Sequence, residues 1–434
     1  MNNALGLLKQ RRFLPLFVTQ FLGAFNDNLF KHAMVLFATY QLFKDPASEQ
    51  NFNALATGLA ILPFVLLSAL SGQLADTHDK ARIIRIVKTA EIGIMIYGAA
   101  GMLIARTGYV TTGVVMMLSA VVMLGVHSTF FGPIKYAILP QHLEDHQVLG
   151  GTGLIEAATY LSVLTGTIVA GWISVEWAAG LVVVVAIIGW FTARQVPPAP
   201  RSGPELVINF NPLTSSWHLI AATMHIRRLF LAIVAISFFW TIGSVLIVIF
   251  PVLVKNVLTA DQQVASLTIA IFSIGVAIGS VIINALLKGQ ISARYSPASV
   301  IAMAVCVLAF AFEAKAWVPA PDDTLYGVVD FATHPQSLLL LGTLALIAIF
   351  GGMFVVPLYA FLTTTVTKDQ TARTVAANNV VNCASMTVGA ISVILLTKAG
   401  LGPTDMLLIV AGMCLGSAWL AWRLHLACDD GCPA

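Results

Sequence analysis

The sequence predicts an all-α polytopic membrane protein: twelve transmembrane helices in two pseudo-symmetric halves of six. Three observations carry this. Of 434 residues, 58% are hydrophobic and only 10% charged, where a soluble domain carries about 25%. The apolar residues come in runs of about twenty, not in the short alternating segments of a membrane β-barrel. A proline-rich break falls at mid-chain, and the segments on its two sides resemble each other.

The runs fall at 12–43, 52–75, 80–106, 109–137, 148–174 and 176–195, then at 227–255, 261–288, 297–318, 337–366, 372–398 and 403–426. The first follows Lys9, Arg11 and Arg12 as a signal peptide would. It is too long for one and lacks a small-residue cleavage site, so it reads as the first span. With the N-terminus inside, the inward segments hold 16 Lys and Arg and the outward ones 5, with Lys31 and Lys135 left within spans. That bias predicts an even number of helices and both termini in the cytoplasm. Lys80, Arg82, Arg85 and Lys88 all count as inward in this tally.

The break begins VPPAPRSGPE, which cannot span. It continues NPLTSSWHLIAATMHIRR, a candidate amphipathic helix on the inner membrane surface. The expected organisation is therefore 1–195, a linker at 196–226, and 227–434. The longest outward loop, 319–336, carries Asp322, Asp323 and Asp330 and reads as a solvated loop.

RRFLPLFVTQFLGAFNDN at Arg11 matches RRLFLAIVAISFFWTIGS at Arg227, an offset of 216. GPIKYAILP at Gly132 resembles VVPLYAFLT at Val355, and GLIEAATY at Gly153 falls opposite AANNVVNC at Ala376, an offset of 223. Parallel repeats of six helices mark one transporter architecture. The copies differ in polarity. Asn26, Asp27 and Asn28 fall opposite Ile242, Gly243 and Ser244; Glu156 falls opposite Asn379 and Thr159 opposite Asn382. Lys135 has no basic counterpart. The first half holds the ionisable groups; the second answers with Asn378, Asn379 and Asn382 and with apolar surface such as Phe238, Phe239 and Trp240.

Asp27 lies fifteen residues past Arg12, about 22 Å along a helix. A carboxylate at that depth must face a polar cavity or a partner. Two readings stand for it: a ligand site, or helix-to-helix glue in which Asp27 pairs with Lys31 at i,i+4. The same choice stands for Lys135, Glu156 and the asparagines at 378, 379 and 382.

The loop GQLADTHDKARIIR sets Gly72 and Asp76 before Lys80 and Arg82. It resembles motif A of the major facilitator superfamily, which implies a cytoplasmic gate latched by a charge pair that forms and breaks. Asp79 stands where that motif usually has glycine, and the second-half copy around GSVIINALLKGQ has no aspartate. The alternative is a charged inward loop and nothing more. QFLGAFNDNLFK, FFGPIKYAILP, GLIEAATY and VPLYAF with RTVAANNVVN resemble the lysophospholipid transporter family of that superfamily, and the transporter portion of proteins fused to an acyltransferase. The resemblance covers nearly the whole chain. It implies flipping of lysophosphatidylethanolamine-type lipids from the outer to the inner leaflet by alternating access, for a separate acyltransferase to re-acylate. It also implies headgroup binding by acid-plus-asparagine pairs in both halves. The first falls on Asp27 and Asn28, joined by Asn26. The second lacks a carboxylate on the eleventh helix, which offers Asn378, Asn379 and Asn382; Glu156 on the fifth helix would compensate. In this reading Asp27 takes the headgroup ammonium, Lys135 the phosphate, and the acyl chain lies along the apolar second half.

A rival reading is a proton-coupled or efflux carrier of another amphipathic solute. An enzyme is not expected: there is no Walker A pattern, and His425 with Asp430 fits the acyltransferase H-x4-D spacing only at the extreme C-terminus. A static receptor would need neither paired halves nor a gate. HLEDH, with His142 and His146, lacks a third metal ligand, and the C-x3-C of Cys428 and Cys432 is a weak metal or redox signal. No cofactor, metal or nucleic-acid partner is expected, and the chain is expected to act as a monomer among membrane lipids.

Overall fold

In lipid every backbone N–H and C=O must be satisfied within the chain, so each apolar run closes into a helix. The computed structural model describes residues 6–200, 211–287, 292–321, 324–364 and 368–429. The side chains of Asp76, Glu156, His146 and Cys428 lie outside the described residues, as do Asp322, Asp323, Asp430 and Cys432 altogether. The long helices are α1 Leu14–Phe37, α2 Pro46–Thr77, α3 Lys80–Arg106, α4 Val110–Ala137, α5 Asp145–Trp172, α6 Val175–Ala193, α7 Arg227–Asn256, α8 Gln262–Leu287, α9 Ser296–Lys315, α10 Ser337–Thr364, α11 Lys368–Lys398 and α12 Pro403–Asp429. Ten are long and apolar enough to cross a membrane. The other two are α1, broken by its polar cluster, and α5, which offers only Leu161–Trp172 among the described residues.

Some ends differ from the apolar runs. The first run reads to 43, but α1 stops at Phe37 and a five-residue π-turn, Ala38–Leu42, follows. α2 starts at Pro46, not 52, because Asp45 caps it: its Oδ1 accepts the Ser48 N–H at 2.8 Å, and Pro46 needs no N–H partner in the first turn. α11 stops at Lys398, and Gly400, φ +89°, turns the chain so that the Leu401 N–H reaches back to the Leu396 carbonyl at 3.1 Å. The linker contains the helix Pro212–Met224.

Two packing units emerge: Met1–Phe37 with Leu62–Ser215, and Ala38–Ile61 with Ser216–Ala434. Residues 38–61 join the second unit through polar contacts. Glu49, fully buried, pairs with Lys255 and accepts from Asn256 Nδ2 at 2.5 Å. The Tyr40 hydroxyl donates to the Ala260 carbonyl at 3.0 Å, and the Thr397 hydroxyl to Gln50 Oε1 at 2.8 Å.

The packing pattern repeats. In the first unit α1 packs on α5 and α6, and α3 on α4 and α6. In the second α7 packs on α11 and α12, and α9 on α10 and α12. One contact recurs at equivalent residues. A Cβ at Gly166 on α5 would lie 2.8 Å from the Phe25 carbonyl oxygen and 3.2 Å from the Asn28 Cβ of α1. A Cβ at Gly389 on α11 would lie 2.9 Å from the Thr241 methyl and 3.1 Å from the Ser244 hydroxyl of α7. These positions differ by the offsets of 223 and 216 that relate the two halves in sequence.

Large apolar side chains stand exposed along the helices, among them Ile86 and Ile96 on α3 and Val184, Ile188 and Phe191 on α6. Water would not tolerate so much apolar surface; acyl chains do.

Candidate substrate site

In the first unit α1, α3 and α4 bring a polar set together. On α3, Lys88 and Glu91 stand at i,i+3, with Nζ to Oε2 at 2.6 Å and both side chains essentially without solvent access. Lys88 fits because α1 has glycine opposite it: a Cβ at Gly23 would fall 2.3 Å from Nζ. The ammonium also lies 4.9 Å from the Phe131 ring centroid. Glu91 Oε1 accepts the Asn26 Nδ2 hydrogen at 3.1 Å, and its Oε2 lies 3.3 Å from His127 Nε2. Next to His127, the Ser128 hydroxyl donates to Asp27 Oδ2 at 2.7 Å. The other Asp27 oxygen, Oδ1, and the Asn26 Oδ1 are buried and accept no hydrogen bond among the described residues. An unpaired carboxylate oxygen in this medium is a binding opportunity for a cation or donor.

Asp27 and Asn26 thus meet in one cluster. Asn28 does not join it; its amide donates to the Ala24 carbonyl of its own helix at 2.8 Å. Lys135 lies seven residues beyond Ser128 on α4 and is half-buried, about 10 Å along the axis. Lys88, Glu91 and His127 are the members that sequence reasoning missed. Its place in the sequence groups Lys88 with the inward charges, yet its side chain is buried against α1. The legible signal was the i,i+3 pair inside the apolar run KTAEIGIMIYGAAG.

The second unit holds a neutral counterpart. Asn382 Oδ1 accepts from the Ser237 hydroxyl at 2.8 Å, and its Nδ2 donates to the Tyr359 hydroxyl at 3.2 Å. The Trp240 indole donates to that same hydroxyl at 2.8 Å. Asn378 is fully buried beside Tyr359, and Asn379 is exposed. The equivalent of Asn382 is Thr159, whose hydroxyl accepts from Gln20 Nε2 on α1 at 2.8 Å. Beside this set an apolar cleft of about 680 Å³ runs between α7, α11 and α12, lined by Phe238, Val245, Ala384, Val388 and Met413. Pockets for small ligands run to about 300–1,000 Å³.

At the start of α3, Asp79 Oδ1 caps the helix by accepting the Ala81 N–H at 2.9 Å, and it also accepts the Ala199 N–H at 3.1 Å. The Lys80 N–H donates to the Ala199 carbonyl, Arg85 donates to the Val196 carbonyl at 2.9 Å, and His142 Nε2 stands 3.4 Å from the Pro198 carbonyl. The residues after α6 are therefore tied to this loop. Of the gate residues, Lys80 is buried, Arg82 exposed, and Gly72 has open space where a Cβ would sit. Burial lowers the His142 pKa below its usual 6.5, partly offset by the Pro198 carbonyl.

An all-α bundle of pseudo-symmetric six-helix halves with a buried polar cluster is the build of a membrane transporter. The chain belongs to the Major Facilitator Superfamily, whose profile matches residues 14–390. It is similar to the lysophospholipid transporter LplT of Cronobacter sakazakii, at 25% identity over 87% of this chain and 85% of that protein. LplT of Klebsiella pneumoniae subsp. pneumoniae is 26% identical over 82% of this chain and 81% of that protein. Among solved structures, the nucleoside transporter NupG superposes with a TM-score of 0.70, covering 96% of this chain and 100% of that one at 14% identity. A bacterial homologue of the iron transporter ferroportin, in an inward-facing state, gives 0.70 over 96% and 98% at 12% identity. At such identities the structural matches speak for the fold alone.

Proposed function

We propose that this transporter flips lysophospholipids of the lysophosphatidylethanolamine type from the outer to the inner leaflet of the bacterial inner membrane by alternating access. The observation that carries the reading is the unpaired, buried Asp27 Oδ1 in a chain whose curated relatives are named lysophospholipid transporters. A headgroup ammonium satisfies that oxygen with a charge-assisted hydrogen bond. Lys135 takes the phosphate, and Glu156, Asn378 and Asn382 supply further polar contacts as the carrier cycles. The second unit by itself offers apolar surface for an acyl chain, in the cleft between α7, α11 and α12. Residues 1–195 and 227–434 act as the moving halves, with 196–226 as the connection and both termini in the cytoplasm. The product is handed to a separate acyltransferase.

The test is flipping of a fluorescent lysophosphatidylethanolamine in proteoliposomes, with Asp27→Asn beside the wild type. The wild type is expected to flip and the variant to lose at least tenfold in rate. A folded wild type that does not flip the lipid overturns the reading and transfers the site to another amphipathic solute. Equal rates would keep the function and remove Asp27 from the site.

A further inference from the structure

The seam between α3 and α6 holds two arginines side by side at one end of the first unit. The helices run antiparallel there: the Trp190 indole donates to Thr89 Oγ1 at 2.9 Å, and Arg85 Nη2 donates to the Val196 carbonyl at 2.9 Å. One turn from the Thr89–Trp190 contact, each helix places a guanidinium, Arg85 four residues before Thr89 and Arg194 four residues after Trp190. Both are held. Arg194 lies over the Trp190 ring, 4.8 Å from its centroid. The Thr89 hydroxyl that fixes Trp190 donates its own hydrogen to the Arg85 carbonyl at 2.8 Å. Arg85 Nε is buried and meets no acceptor among the described residues. Arg82, exposed, stands a turn beyond Arg85.

None of these three arginines makes an ion pair among the described residues. The acids at this end of the unit do not cancel them. Asp79 Oδ1 accepts the Ala81 and Ala199 N–H groups, Glu144 pairs with Arg12, and Glu91 is engaged deeper with Lys88. With Asp76, Asp79, Glu144 and Asp145 all ionised, the Lys and Arg of 9–12, 80–85 and 194 still outnumber them seven to four. Deeper in the membrane the two helices turn apolar and exposed, with Ile96 on α3 and Val184 and Ile188 on α6.

We propose that this seam binds one anionic phospholipid of the surrounding bilayer, of the phosphatidylglycerol type, with its phosphate between Arg85 and Arg194 and its acyl chains along the apolar face beyond them. Basic sites between helices at a membrane surface take such headgroups, and a guanidinium fork matches a phosphate with two parallel hydrogen bonds. The phosphate supplies the acceptor that Arg85 Nε lacks. Trp190 and Thr89 are positioning residues: they touch no headgroup and set where the Arg194 guanidinium lies. The W-x3-R pattern recurs at the end of α12 as Trp419 and Arg423, with the guanidinium 5.6 Å from the ring centroid. There, among the described residues, no neighbouring helix gives Trp419 the hydrogen bond that Thr89 gives Trp190. The second unit thus has the cation without the built seam. The proposed site is apart from the Asp27 cluster and does not rest on the lysophospholipid reading.

The experiment titrates the purified full chain in detergent with phosphatidylglycerol, phosphatidylcholine or inorganic phosphate. Native mass spectrometry counts the bound lipid, and thermal unfolding follows its effect. One phosphatidylglycerol per chain is expected to stay bound and to raise the melting temperature with concentration. Phosphatidylcholine and inorganic phosphate at the same concentration are expected to do neither. Arg85→Gln with Arg194→Gln should weaken phosphatidylglycerol binding by about tenfold or more, while Arg423→Gln leaves it as in the wild type. Thr89→Val should also weaken it, although no charge is removed. If the double variant does not fold, Arg194→Gln at the exposed end of α6 decides in its place, with a loss of roughly fivefold expected. Equal binding of phosphatidylcholine, or arginine variants that bind like the wild type, overturns the site. An equal loss in Arg423→Gln also overturns it, since the whole basic surface would then attract the lipid diffusely. Inorganic phosphate that raises the melting temperature as far as the lipid does would make this a free-anion site and overturn the lipid assignment.

Discussion

The ammonium of Lys88 occupies the space that a side chain at position 23 would need: a Cβ built on Gly23 falls 2.3 Å from Nζ. A glycine on α1 is thus what allows a lysine of α3 to lie in the interior with Glu91. Gly23→Ala is expected to push Nζ off its partner. Overpacking of this kind costs about 1–3 kcal/mol. Thermal unfolding in detergent should drop modestly while the transport rate falls much further, because the cluster loses its register before the fold fails.

Lys88→Met is expected to be more damaging to stability. It leaves Glu91 buried with only Asn26 and His127 as partners. Removing one member of a buried pair typically costs about 3–5 kcal/mol. The double change Lys88→Met with Glu91→Gln should recover most of that loss, because neither charge is then stranded. A double-mutant cycle on the unfolding midpoint checks this; additive losses would refute the pairing as the cause.

Gly166 and Gly389 should respond alike. At each, a β-carbon would press on the facing helix within about 3 Å, at the Phe25 carbonyl and the Thr241 methyl respectively. Backbone gives way less readily than a side chain, so Gly166→Ala is expected to destabilise more than Gly389→Ala, each within about 1–3 kcal/mol. Calorimetry on the two variants gives the order.

Tyr359→Phe removes a hydroxyl that accepts from Trp240 and from Asn382. Each lost bond is worth about 1 kcal/mol net. We expect a small loss of stability and quenched or shifted Trp240 fluorescence, read directly from the emission spectrum.

His142 gives a pH dependence outside the membrane segments. Its folded pKa lies below the ordinary 6.5 because burial disfavours the imidazolium. The unfolded chain therefore binds the extra proton first. The contribution of the neutral ring to stability is present above pH 6.5 and is lost as pH falls below it. His142→Gln should flatten the stability profile between about pH 7 and 5, as followed by thermal unfolding across that range.

The helices were legible because lipid permits little else for long uncharged runs. The repeat was legible too: the offsets 216 and 223, read from strings such as RRFLPLF and GLIEAATY, relate the atoms that Gly166 and Gly389 approach. The site was half legible. Asp27 and Asn26 stood out as polar residues inside a span. Lys88 did not, since a count of charges by segment has no depth and a lysine eight residues past Lys80 still reads as a loop charge. His127 and Tyr359 looked like ordinary residues of apolar helices; only their neighbours across α3 and α11 give them a role. α2 starts six residues before its apolar run because a cap made by Asp45 and Pro46 leaves no apolar trace.

The twin glycines 166 and 389 also mark what the two halves must share. A half that assembled with an identical copy would repeat every feature on both sides, wanted or not. A buried charged cluster would then come in duplicate, with double the desolvation penalty. Fusion lifts that rule. Each half keeps the glycine that lets its first and fifth helices touch, and each is free to differ in everything else. The charged set beside Asp27 and the neutral set beside Asn382 show how far two halves of one chain differ around a shared packing contact.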